Sequence, residues 1–458
     1  MTKLPALLKG GLAGVCLSCC FMAGALANDS VPLSPEDMRL AAVYASRNSD
    51  PRLALRLAKV LLERDPNDTV ALLVQSRAAR DLGEFELALS SAKKAWRTAK
   101  NDQNRYAAAA SAAQALSSNG NRTRAQLWLR RAAQVAPDDR LKAIAIRDFR
   151  YVRSRNPLTT HIEFGVTPSS NVNGGSSSET LVVGGFPFKL NGDARALSGL
   201  EYNYGIQTQL QHQQSPTIRL NVGAELEGRT VRLSSKAKKQ TVNLDASDLS
   251  YQAARFSFGA TFFEPTNGNS WNVQLATGKS WYGSEQLADF AQIDVEKTVV
   301  VDPKNRLRLG LLVDEQWRKD NSLNSSSSLT GSVGWSKRFK HGSKLELTVA
   351  ARETQSDSDV IAHDAKIASV AYNVGKPLFG AYFGVSATYE KRDYGAPYFT
   401  EGDREDERFT FSANALFPEY HYYGFAPEIG VNARKTNSNS ALYDTEEVGL
   451  EIGFRSVF

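Results

Sequence analysis

The sequence predicts a two-part chain, an α-helical repeat domain followed by an antiparallel transmembrane β-barrel of fourteen strands, with sixteen as the alternative. Three observations carry this. Alanine, a strong helix former, occurs 25 times in residues 28–157, where only Gly83 and Gly120 interrupt it. Glycine shows the reverse skew, with 27 of the 33 in residues 158–458. Apolar residues recur at helical spacing in the first stretch and alternate singly in the second. Mean hydropathy is only −0.36 over the 458 residues. That value excludes a polytopic helical membrane protein but not a barrel, which shows lipid only every second residue.

Residues 1–27 read as a secretory signal: Lys3 and Lys9, an apolar stretch, then Ala25-Leu26-Ala27 as the cleavage site. All three cysteines, Cys16, Cys19 and Cys20, fall inside it, so the mature chain is expected to have no thiol chemistry. Loss of two lysines lowers the net charge from +6 to +4, with the charges interspersed, and no nucleic-acid partner is expected.

Residues 28–157 read as a periplasmic helical domain and linker. Leu53, Leu55, Leu57, Ala58, Leu61 and Leu62 follow one helix face, and Thr69 is a start signal for the next helix. Gly83-x-Phe85-x-x-Ala88 and Gly120 with Ala125 and Ala132 suggest helical hairpins. Pro66 and Pro137 lie 71 residues apart, close to two tetratricopeptide periods of about 34 residues. Such a solenoid offers a groove for an extended client, and Arg77, Arg80, Arg122 and Arg124 are the candidate lining, with Arg130 and Arg131 beside them. The blander alternatives are a spacer and a solvated arginine face.

From 158 onward the pattern changes to strands. Ile218–Leu226 and Lys344–Val349 alternate, and Arg306–Asp314 sets Leu307, Leu309, Leu311 and Val313 against Arg306, Arg308 and Asp314. Aromatic residues such as Trp271, Trp281, Tyr282 and Trp317 fall towards predicted strand ends, where girdles sit. Fifteen alternating runs reduce to fourteen strands if 241–263 is one strand, which places both ends of the barrel in the periplasm. Loops at 435–445, 393–405, 354–363, 319–326, 283–287 and 170–197 are then external. Val448-x-Leu450-x-Ile452-x-Phe454-x-Ser456-x-Phe458 resembles the aromatic signal read by the outer-membrane insertion machinery, with Phe454 and Phe458 as its residues and Ser456 as a departure.

Two local patterns add a family resemblance. Pro168-Ser-Ser170-Asn171-Val-Asn173 ends the first strand, and Pro427-Glu-Ile-Gly-Val-Asn-Ala-Arg434 continues into Ser438-Asn439-Ser440-x-x-Tyr443. On these the chain resembles the Slam family, the surface lipoprotein assembly modifiers. The resemblance implies a periplasmic tetratricopeptide-like domain, a fourteen-stranded barrel, and movement of surface lipoproteins or secreted nutrient-binding proteins to the cell surface. A structural role for both patterns is the competing reading, since Pro and Asn suit strand ends and tight turns.

No zinc spacing joins His161, His212, His341, His363 and His421, and no nucleophile elbow, P-loop or dinucleotide fingerprint occurs. The expectation is a non-enzymatic, cofactor-free monomer in the outer membrane that handles a client protein. Its alternatives are an exopolysaccharide export porin and a general diffusion porin.

Overall fold

The computed structural model describes residues 33–400 and 402–458, so the expected signal at 1–27 lies outside the described residues. Seven helices come first: α1 (Pro35–Arg47), α2 (Pro51–Arg64), α3 (Thr69–Asp81), α4 (Phe85–Thr98), α5 (Asp102–Ser118), α6 (Arg122–Gln134) and α7 (Asp139–Ser154). Most starts are fixed by a side-chain oxygen that accepts from an otherwise orphaned amide. Asp50 takes Leu53 at 3.0 Å, Asn101 takes Asn104 at 2.8 Å and Asp138 takes Leu141 at 2.7 Å. Each such cap contributes about 1 kcal/mol.

The first six helices form three hairpins. The turn residues Ser49, Gly83 and Gly120 all have positive φ (60°, 82° and 77°) and stand 34 and 37 residues apart. Ala54, Ala88 and Ala125 follow at matching offsets and are fully buried. A larger side chain there would hold the paired helices apart, so the repeat is written in small residues. Helix α7 closes the stack and feeds the barrel.

Strands β1 (Leu158–Ser169), β2 (Thr180–Val183), β3 (Phe186–Lys189), β4 (Gly199–Ser215) and β5 (Ile218–Leu233) open the second half. They are followed by β6 (Tyr251–Phe263), β7 (Ser270–Tyr282), β8 (Glu285–Val300), β9 (Asn305–Arg318), β10 (Ser326–Arg338) and β11 (Lys344–Ser356). The chain completes β12 (His363–Asn373), β13 (Tyr382–Asp393), β14 (Glu405–Leu416), β15 (Phe425–Ser438) and β16 (Thr445–Ser456). Fourteen of these, β1 and β4 to β16, close an antiparallel barrel in which β1 meets β16, while β2 and β3 form a separate hairpin. The fourteen-strand expectation holds and sixteen is excluded.

Residues 241–263 do not form one strand. The strand β6 begins at Tyr251, and 234–250 is a loop with a short helix, α8 (Ser235–Gln240), and a 3-10 turn at Ala246–Leu249. Asp245 and Asp248 cap that turn reciprocally, and Leu249 and Ala237 pack with Val172, Leu197 and Leu233. Local capping and a small apolar cluster therefore override the alternation. The count survives because the segment contributes one strand, though of 13 residues. Other long loops are close to expectation, but 435–445 contracts to 439–444 because β15 runs on to Ser438. The loop after β1 carries the unforeseen β2–β3 hairpin.

Opposed residues share a face, so the register sorts the wall into two surfaces. Leu309, Leu311, Leu329, Val333, Leu347 and Val349 are exposed on the outer face, while their neighbours Arg308, Thr330 and Glu346 point inward. This is the apolar belt of a transmembrane barrel. Among the described residues no helix is long and apolar enough to cross a membrane.

Candidate functional site: the barrel wall, its seam and the docked helical domain

The barrel lumen is lined by separated charges. On one side Arg352, Arg392 and Arg408 converge on a single carboxylate, Glu390, at 3.8, 2.9 and 3.8 Å. Across the seam side stand Glu163, Glu225, Glu227, Glu428 and Glu451, with Arg229 and Arg455 among them. Arg455 pairs with Glu428 at 3.1 Å. Of the other carboxylates, Asp314 accepts from Gln292 at 2.6 Å and Glu346 from Arg308 at 2.9 Å. Each is met by a neighbouring donor, as a buried or half-buried carboxylate requires. His161 and Glu163 lie 2.9 Å apart on β1. Among the described residues no group of three or more His, Cys, Asp or Glu could hold a metal ion.

The seam differs from every other strand pair. It is registered only from Gly165 opposite Gly453 to Ser169 opposite Gly449, whereas β15 and β16 pair from Phe425 to Thr436. At the long-loop end the seam is latched. Ser170 exchanges bonds with Val448 at 3.0 and 2.8 Å, and Ser177 donates through both its amide and its hydroxyl to the Asp444 carbonyl. The first sequence pattern thus lies on one bank of the seam, whereas the second lies behind the other bank, on β15 and the loop that leads into β16.

Their residues fall into structural positions. Asn171 donates to the carbonyls of Gly175 (2.9 Å) and Glu446 (3.2 Å). Asn173 donates to Asp193 and Arg195 at 2.9 Å each and accepts from Leu197. Pro168 pairs with Leu200, and Pro427 with Phe454. Arg434 reaches Glu447 at 3.3 Å, and Ser438 accepts from the Ser440 amide. Asn439 accepts from the Glu405 amide and donates to the Asp403 carbonyl. Tyr443 lies 3.2 Å beneath the Arg404 guanidinium, which also bonds Asp406 at 2.5 Å and stacks on Tyr394. Sequence reasoning missed Arg404 and Asp406. Their i, i+2 spacing across the start of β14 was the available signal.

The opposite end of the barrel is gripped by the helical domain. Arg130 of α6 donates to the Tyr423 carbonyl (2.8 Å) and the Ser456 hydroxyl (2.6 Å). Its guanidinium lies 4.7, 4.5 and 5.4 Å from the rings of Phe149, Phe425 and Phe458. Arg153 donates to the Phe458 main-chain oxygen at 2.6 Å, and Gln134 accepts from the Tyr423 amide at 2.8 Å. Burial first, and then the neighbouring Arg153, lower the Arg130 pKa to about 10, so it remains charged. Phe458 is buried in the α5–α7 core with Phe149 and Trp128, whereas Phe454 is exposed on the outer face of β16. Ser456, the departure from the aromatic signal, is therefore the hydroxyl that receives Arg130.

The arginines considered for a groove do not gather. Arg77 and Arg124 are exposed, and Arg80 pairs with Asp81 at 2.7 Å and reaches Gln114. Arg122 starts α6, and among the described residues no hydrogen bond or ion pair joins it or Arg124 to α3. Arg131 stacks on Trp128, and the cleft on this domain, about 290 Å³ between α2, α3 and α4, is lined instead by Leu62, Leu72 and Leu87.

No protein-family model matches this chain, and no curated protein matches it. Among solved structures the barrel is similar to outer-membrane channels. A BenF-like porin from Pseudomonas fluorescens Pf-5 shares 8% identity, over 66% of this chain and 99% of that chain, with a TM-score of 0.35. Acinetobacter baumannii OccAB1 shares 10%, over 66% and 97%, with a TM-score of 0.36. A bacterial polysaccharide outer membrane secretin shares 7%, over 64% and 98%, with a TM-score of 0.30. At such distance the likeness carries no function across.

Proposed function

We propose that this chain is an outer-membrane protein translocator of the surface lipoprotein assembly modifier type, with its helical domain in the periplasm. The observation that carries the reading is the docked domain: α6 holds Ser456 at the end of β16 and α7 holds Phe458 just beyond it, while α7 leads through three residues into β1. A client held by the hairpins would then stand at the short-turn mouth of the barrel and beside its seam. The resemblance at residues 168–173 and 427–443 supports the same reading. Deleting residues 28–155 should leave the barrel inserted but remove one exposed lipoprotein or secreted binder from the surface proteome, with polysaccharide unchanged. Unaltered surface display would overturn it.

A diffusion channel is the second reading, favoured by the separated charge on the lumen wall. It predicts steady open conductance in planar bilayers and loss of a small solute's uptake on deletion of the gene.

A further inference from the structure

Between Leu158 and Phe164, β1 pairs only with β4. On its other edge, successive backbone donors and acceptors have no partner strand among the described residues. Glycines make this possible. Gly165 faces Gly453, a Cβ at Gly165 would lie 3.3 Å from the Glu451 carboxylate, and a Cβ at Gly453 would lie 3.0 Å from the Phe164 carbonyl. The strands touch there and part beyond. A cavity of about 720 Å³ reaches from the lumen wall of β4, β5, β14 and β15 into the gap. Its two linings alternate with the strand: Phe164, Ile206, Leu226 and Phe454 from the lipid-facing surface, and from the lumen surface Glu163, Glu225, Glu227, Glu428 and Glu451, which outnumber Arg229 and Arg455. The latch at the long-loop end and the Arg130–Phe458 contact at the other bound the gap on both sides.

An open sheet edge is a template for another strand, and within a bilayer its polar groups need a partner. We infer that the free edge of β1 is a strand-addition site for an extended polypeptide whose alternate residues are apolar and basic. Main-chain hydrogen bonds to Leu158–Phe164 would supply the affinity. The period-two side chains would turn apolar groups towards Phe164 and Phe454, and lysines or arginines towards Glu163, Glu225 and Glu451. The inference rests on the translocator reading, since it assigns the segment by which a client would engage the wall.

The test uses the full chain in proteoliposomes with three synthetic nonapeptides: alternating leucine–lysine, alternating leucine–glutamate, and leucine–lysine in two blocks. The alternating leucine–lysine peptide should slow hydrogen exchange of the seam-side amides in 158–164 by at least about tenfold. It should also cross-link to a photoreactive phenylalanine analogue at position 164. The triple variant Glu163→Gln, Glu225→Gln, Glu451→Gln should weaken that binding by about fivefold or more while the barrel stays folded. Equal protection by the glutamate or block peptides would overturn the inference. So would cross-linking only to lipid or to a second copy of the chain. If deletion of 28–155 abolishes surface display yet no peptide protects the edge, the strand-addition site falls and the translocator reading stands. If the peptide binds but display survives the deletion, the site stands and the translocator reading falls.

Discussion

Arg130 ties the two halves together through both charge and shape. Its planar fork donates to Tyr423 and Ser456 while its face lies against Phe149 and Phe425. Arg130→Ala should weaken docking by about 2–3 kcal/mol, through lost charge-assisted bonds and lost packing. Arg130→Lys should recover little, since a lysine cannot donate in two fixed directions or stack. Limited proteolysis at residues 155–157 reads both outcomes. A second residue-scale prediction concerns Ser49, whose φ of 60° costs energy for any residue with a Cβ. Ser49→Gly should stabilise the helical domain by roughly 0.5 kcal/mol in thermal unfolding, the relief of strain exceeding the added chain entropy. Gly83→Ala, at the equivalent turn, should destabilise it by about 1 kcal/mol.

At the scale of elements, the long loop after β1 keeps its shape through side-chain amides that replace a ladder. Asn173 alone satisfies the carbonyls of Asp193 and Arg195 and the amide of Leu197. Asn173→Ala should free the β2–β3 hairpin at a cost of roughly 1–3 kcal/mol, seen as faster cleavage of 174–198 in limited proteolysis of the purified protein, with the barrel still resistant. The same pattern was visible in the sequence as Asn171-Val-Asn173, yet its partners lie on other segments. Element type and face were legible in the alternation of 306–314, and the hairpins in the alanine spacing. The exception, 241–250, shows the limit: alternating Val242 and Leu244 look like a strand until Asp245 and Asp248 close a turn. Short-range patterns describe which face a strand would bury, and capping decides whether the strand forms.

At the scale of the whole molecule, docking should depend on pH. His421 packs edge-on against Phe458 at 5.2 Å, with Lys142 and Arg130 nearby. Burial, then those two cations, depress its pKa below the ordinary value. In the released state His421 titrates near the usual value of about 6.5, so it binds a proton there before the docked state does. The contact is thus at full strength above about pH 6.5 and weakens as the pH falls from that value towards the docked-state pKa. Protease sensitivity of 155–157 should rise on acidification in the wild-type chain and stay flat in His421→Gln. A wild-type profile without pH dependence would count against this account.

By itself the sequence determined the division near residue 157, the hairpin repeat, the fourteen-strand count and the outer and inner faces of the wall. These follow from local periodicity, which a chain carries wherever it folds. Only the tertiary structure decided the rest. Arg130 moved from a candidate groove to the barrel rim, 293 residues from the carbonyl it holds. Phe458 left the strand for the helical core, and Ser456 became an acceptor. The meeting of residues 168–177 with 439–448 and the short pairing of the seam belong to closure. Closure joins the first and last strands, and no window of sequence contains both.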